Sequence, residues 1–324
     1  MWNCRGFVCL VAALTISTFS VAPACAQDYP TRPIKVIIPN PPGGPGDIIA
    51  RVFADKASQS LGKPFIFEYK PGASTTIGNA LAAKADPDGY TILALPSSGV
   101  GAAALKKQLR YNIESDFSPI AGIGSVPLVL IVHARSDIKS MDEFSAAVRA
   151  GKLTFASAGV GTIGFFSSFL LANEIGGTAS HVPYRGNPQA LQAVVGGYAD
   201  FSVLSVSDVL PYANSKEVLL LATTADQRLA ELPNVPTMSE VGLPNVNAKL
   251  WYAFLAPTNT PANVITRLYD AFAEAGKSIT GEKQLRNFGF TVEMRNPDET
   301  KKLIKDEVDR WKKVIEVNHI PLEE

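Results

Sequence analysis

Three glycine-rich turns, each following an apolar strand-like run and each opening a helix, set the limits on this chain. The first is Pro39-Asn40-Pro41-Pro42-Gly43-Gly44-Pro45-Gly46-Asp47, after Ile34-Lys35-Val36-Ile37-Ile38. The second is Pro71-Gly72-Ala73-Ser74-Thr75-Thr76-Ile77-Gly78, and the third Ser157-Ala158-Gly159-Val160-Gly161-Thr162-Ile163-Gly164. Strands that turn directly into helices build parallel sheets covered by helices. Each turn leaves backbone N–H groups without intrahelical acceptors, at the positive end of the helix dipole. That geometry attracts anions. Several such turns, with no evident nucleophile–base pair, point to carboxylate binding rather than catalysis.

The N-terminus bears on compartment. Residues 1–26 carry one charge, Arg5, then an apolar run from Phe7 to Val21, and close with Ala24-Cys25-Ala26. This reads as a secretory signal cleaved before Gln27. All three cysteines, Cys4, Cys9 and Cys25, precede that point. The mature chain would then hold no disulfide, thiol nucleophile or thiolate metal site. At roughly 300 residues it has the length for two domains of about 150 each. Lys plus Arg (30) balance Asp plus Glu (30), and no basic cluster stands out. Nucleic acid is therefore not an expected partner. No later run reaches the length of a membrane span. The expected location is the periplasm.

Apolar runs and helical patterns alternate along the chain. Strands are expected at 34–38, 65–69, 91–95, 126–132, 153–156, 180–184, 199–204, 218–223 and 250–256. Helices are expected at 47–61, 77–84, 140–150, 162–175, 188–195, 262–278, 282–287 and 298–318, with a short one ending at Leu105. The long runs at 126–132 and 250–256 read as crossings between two α/β domains. One domain would be 27–125 with 254–324 and the other 126–253, after a signal peptide at 1–26. The cleft between them is the expected ligand site, at the C-terminal ends of parallel strands.

Several residues admit two roles. Gly159-x-Gly161-x-x-Gly164 fits a dinucleotide fingerprint, but the next strand ends Pro183-Tyr184-Arg185 with no acid for a ribose. No cofactor is expected. A secreted α/β hydrolase-like enzyme would need a serine elbow, a histidine and an acid. No Gly-x-Ser-x-Gly occurs, and His133, His181 and His319 read as surface or strand-edge residues without metal-ligand spacing. No catalytic or metal residue is nominated. Asp47 reads as a helix N-cap, contributing about 1 kcal/mol, or as a contact for the amino group of a zwitterion. Arg185, beside Tyr184, is either a solvated charge or a fork for a second carboxylate. Of Phe165 and Phe166, one can face the core and the other the cleft.

Longer motifs carry a resemblance. They include Tyr29-Pro30-Thr31-Arg32-Pro33-Ile34, Pro41-Pro42-Gly43-Gly44-Pro45-x-Asp47, Pro71-Gly72-Ala73 and Asp86-Pro87-Asp88-Gly89-Tyr90-Thr91. Asp116-Phe117-Ser118-Pro119-Ile120, Ser157-x-Gly159-x-Gly161-Thr162, Val182-Pro183-Tyr184-Arg185-Gly186, Leu232-Pro233-x-Val235-Pro236-Thr237, Trp251-Tyr252 and Leu255-Ala256-Pro257 follow in order. The chain resembles, over its whole mature length, the Bug family of periplasmic receptors of tripartite tricarboxylate transporters. The resemblance implies an α/β, two-domain periplasmic-binding-protein fold of type II (Venus-flytrap), with two crossing strands as hinge. It implies a monomer that closes over a small carboxylate, without enzymatic activity, and delivers it to membrane permease subunits. A receptor coupled to a sensor is the alternative.

The family's ligand turns map onto Asn40, Pro41, Pro42, Gly43, Gly44 and Asp47, onto Ser97, Ser98 and Gly99, and onto Ser157, Gly159, Val160, Gly161 and Thr162. Phe165, Tyr184, Arg185 and Ser205 complete the expected set. The chain departs from the family at Asn40, where an aromatic is usual, and at Gly46, where Thr or Ser is frequent. Gly99 and Phe165 replace frequent histidines. With Phe165 at the cleft, a small carboxylate with an aromatic or extended apolar body is the expected ligand.

Overall fold

The computed structural model describes residues 29–279, 283–286 and 289–323. The expected signal segment, its cleavage point before Gln27 and the three cysteines lie outside the described residues. The elements run β1 (Ile34–Ile38), α1 (Pro45–Leu61), β2 (Phe65–Tyr69), α2 (Thr76–Ala83), β3 (Thr91–Pro96), α3 (Ser98–Leu105) and β4 (Phe117–His133). Then come α4 (Met141–Arg149), β5 (Leu153–Ser157), α5 (Ile163–Ile175), β6 (Ala179–Pro183), α6 (Asn187–Val195), β7 (Phe201–Ser205), α7 (Val206–Val209) and β8 (Val218–Thr223). The chain closes with β9 (Lys249–Pro257), α8 (Ala262–Ile279), α9 (Lys283–Arg286), β10 (Thr291–Arg295) and α10 (Pro297–Val317).

The strands form two lobes joined through β4. In the first, β2 and β3 flank β1 in parallel, and β9 joins antiparallel between β3 and β4. In the second, β5 lies parallel to both β6 and β7, and β7 pairs antiparallel with β4. Along β4, Phe117 to Pro127 pair with β9, while Leu128 to Val132 pair with β7. Of the two expected crossings, this 17-residue strand spans both sheets. β9 stays beside it in the first lobe, Lys249 opposite Pro127. The chain returns through irregular segments between β8 and β9.

Two strands depart from the sequence pattern. The first half of β4, with Pro119, Gly122 and Gly124, does not read as a strand, yet it is buried on both sides by β9 and β10. At Gly124, φ is +146° and a Cβ would stand 2.2 Å from the Thr291 carbonyl oxygen. Only glycine allows β10 to approach that closely. β10 itself was hidden because Thr291-Val292-Glu293-Met294-Arg295 lacks a continuous apolar run.

Alternate residues of β4 enter opposite faces. Val129 and Ile131 join the cluster containing Val36, Phe53, Phe254 and Phe272. Leu128, Leu130 and Val132 join the cluster containing Phe155, Phe166 and Trp311. Burying each such side chain contributes roughly 1.5–3 kcal/mol. α10 begins with a reciprocal cap, Asn296 accepting from Glu299 N and Glu299 from Asn296 N. Its buried face includes Ile304, Val308, Trp311 and Ile315, and it packs on α3, β4 and α5, so it touches both lobes.

Candidate functional site

The first glycine-rich turn is held from below by a buried acid. Pro45 opens α1, its fixed φ suiting the first helical position. Asp47 is therefore the third residue of the helix, and the expected N-cap is Gly44 instead. The Asp47 carboxylate accepts from Gly43 N, Arg51 Nε and the Tyr69 hydroxyl, each at 2.8 Å. Arg51 also donates to the Tyr69 hydroxyl and lies over the Phe67 ring. Asp47 thus tethers the turn to its own helix and to β2, and its carboxylate is not on the cleft wall.

A cleft of about 660 Å³ opens between the lobes. Four helices of eight residues or more direct their first turns into it: α1 and α3 from the first lobe, α5 and α6 from the second. Their leading N–H groups have no intrahelical acceptor. Of the expected residues, Asn40, Pro41, Pro42, Gly43, Gly44, Ser98, Thr162 and Ser205 line the cleft. So does Gly46, where the chain departs from the family, and so do Asn187, Asp208, Leu250 and Tyr252, which sequence reasoning did not place there. Asn187-Pro188 carries the same turn-to-helix signal as the nominated turns and was readable. Asp208 sits on the four-residue α7, which has no pattern of its own.

Gly46 gives the clearest reason for a departure from the family pattern. A Cβ there would stand 3.2 Å from Tyr252 Cε1 and 3.7 Å from Asn40 Oδ1. Glycine lets the Tyr252 ring lie against the turn. Burial, with the Asp208 charge second, pushes the Tyr252 phenol well above its ordinary range, so it stays a neutral donor. No lysine or arginine lines the cleft among the described residues, and Asp208 is its one acid.

Other expected residues support the walls without forming them. Ser97 is buried, with its N–H donating to Trp251 O. A side chain at Gly99 would meet Leu95, Asn79 and Thr75 within 3.1 Å, so that position faces the lobe interior. Ser157 is fully buried; its hydroxyl lies 2.7 Å from His181 Nε2 and also bonds Gly159 N and O. Burial lowers the His181 pKa from 6.5 to about 4, so the ring is neutral at physiological pH. The bond between buried Ser157 and half-buried His181 thus locks the turn. Gly159 and Gly161 take positive φ there, and Val160 packs against the core. Thr162 caps α5 through Phe165 N.

Phe165 lies in the core, at 2% exposure, and not in the cleft. It packs on Phe155, Phe166, Phe169 and His181. The expectation failed because α5 is covered on two sides: Phe166 turns to Trp311 of α10 while Phe165 turns to the second lobe's sheet. Tyr184 is partly buried against the core, and Arg185 is exposed and off the cleft wall.

The sequence of residues 49–320 matches the model of the tripartite tricarboxylate transporter family receptor. The chain belongs to that family. Protein BugT of Bordetella pertussis is 33% identical over 310 residues, 94% of this chain and 95% of that protein. Among solved structures, the periplasmic binding protein BugD superposes with a TM-score of 0.74 at 28% identity, over 90% of this chain and 99% of BugD. MatC from Rhodopseudomonas palustris, solved with bound malate, gives 0.73 at 30% identity, over 89% of this chain and all of MatC. The fold is the two-domain α/β fold of periplasmic binding proteins, and the chain is a solute receptor of the tricarboxylate-transporter type. Among the described residues of this receptor no helix is long and apolar enough to cross a membrane, and no cluster of histidine and acids could hold a metal ion.

Proposed function

We propose that this receptor captures a small organic carboxylate in its interlobe cleft and delivers it, as a periplasmic monomer, to the permease subunits of its transporter. The observation that carries this is the convergence of four helix starts, two from each lobe, on one cleft. A carboxylate placed there gains up to about 2 kcal/mol from a helix dipole. Micromolar affinity needs about 8 kcal/mol. Hydrogen bonds from Asn40, Ser98 and the turn N–H groups, with apolar burial against Leu250 and Tyr252, supply the rest. A ligand touching both lobes stabilises the closed state, with β4 as the flexing element.

Solute is held without turnover: the Ser157 hydroxyl that meets His181 is buried, and neither residue is on the cleft wall. The bound malate of MatC supports a carboxylate ligand. The burial of Phe165 leaves an aromatic preference without support.

The test is calorimetry on the mature protein with acids, their amides and their methyl esters. Acids are expected to bind at least about tenfold tighter, a difference of about 1.4 kcal/mol, and to be recovered chemically unchanged. Equal binding of acid and amide defeats the anion-site reading, and a product in the recovered ligand defeats the receptor reading.

A further inference from the structure

The cleft wall is unbalanced in charge. Asp208 is its one acid, and no cationic side chain stands there among the described residues. The Asp208 carboxylate is held in place: its Oδ2 accepts from Asn187 Nδ2 at 2.6 Å and from Ser205 Oγ at 2.5 Å. Ser205 Oγ in turn lies 2.7 Å from Ser207 Oγ. These bonds tie the end of β7 to the start of α6, so the acid is a fixed feature of the second lobe's wall. Asp47, the acid that the sequence offers for an amine, is committed to the Gly43 turn.

A ligand whose carboxylate sits on the helix starts presents its remaining groups to the rest of this wall. A second carboxylate near Asp208 meets a like charge with no arginine or lysine to offset it. A protonated amine meets a fixed carboxylate and forms charge-assisted hydrogen bonds. We propose that Asp208 is a specificity residue and that this cleft selects acids bearing a protonated amine over di- and tricarboxylates. The inference rests on the carboxylate reading above and names its ligand class. A merely structural Asp208, bracing α6 against α7, would leave ligand preference unmoved when the charge alone is removed.

The experiment uses calorimetry on the mature protein with three matched series: monoacids from butyrate to heptanoate, their ω-amino derivatives, and the diacids of the same lengths. At the best length the amino acid is expected to bind at least about tenfold tighter than the diacid. Asp208→Asn keeps an oxygen for Asn187 and Ser205 but removes the charge. It is expected to erase about tenfold of the amino acid's advantage and to tighten the diacid. Diacids binding as well as amino acids to the wild type overturn the proposal and leave the carboxylate reading standing. So does an Asp208→Asn ranking identical to wild type. Should that variant fail to fold, the wild-type ranking decides alone. If no acid of any series binds, or methyl esters bind equally well, the carboxylate reading itself falls and the proposal with it.

Discussion

The Phe165 ring stands edge-on to the His181 imidazole, centroids 4.8 Å apart and planes at 73°. Phe155 packs on the same imidazole at 4.9 Å. Two aromatic rings therefore pack on the half-buried histidine that anchors Ser157, and the third glycine-rich turn rests on an aromatic block. The geometry of that turn where it meets the cleft is set by packing behind it.

Phe165→His places a second imidazole in this block. A buried polar ring without partners costs about 1–3 kcal/mol. Urea unfolding of the ligand-free variant is expected to show a loss of that order, with acid affinity per folded molecule unchanged. A variant as stable as wild type but altered in affinity would return Phe165 to the cleft.

The His181 value gives a pH signature with a definite sign. Its pKa falls from 6.5 to about 4 in the folded state, so between these values the unfolded chain takes up a proton that the native protein does not. Stability is lost as pH drops from about 6.5 toward 4 and this group contributes no further loss below that. Unfolding free energy measured from pH 7 to pH 4.5 should fall more steeply for wild type than for His181→Gln. Parallel curves would show that the imidazole titrates alike in both states.

Asp47→Ala releases Gly43 N, Arg51 and Tyr69 together. Hydrogen bonds to a charged group are worth about 1.5–3 kcal/mol, and with the turn untethered the expected loss of acid affinity is at least about tenfold. Asp47→Asn keeps an acceptor for Gly43 N and should lose less. Calorimetry and thermal melting on both variants check this; an Asp47→Ala protein with wild-type affinity would show that the turn stands without its tether.

Much of the fold was legible because its signals are local. The apolar run Ile34–Ile38, the prolines and glycines of residues 39–46 and the periodic stretch beyond them specify strand, turn and helix within a few residues. So do Thr162 capping α5 and Ser140 capping α4. Less legible was any element whose neighbours supply the burial. The glycine- and proline-bearing half of β4 and the charged β10 become strands because they pair with each other, β4 also pairing with β9 on its other edge.

What the sequence by itself determined is the series of strand-to-helix turns, and hence that helix N-termini gather at one side of each sheet, since backbone conformation at Gly, Pro and capping residues is a short-range matter. Tertiary structure alone decided which side chains those turns face. Asn187 and Asp208 of the second lobe meet Tyr252 of the first in one cleft, although they are far apart in the chain, because β4 carries the second lobe against the first. Phe165, and a Cβ placed at Gly99, face the lobe interior because the rotation of a helix about its axis follows the surface it can bury. For α5 that surface is the Phe155–His181 block and Trp311, contributed by segments that no local pattern in residues 157–166 could name.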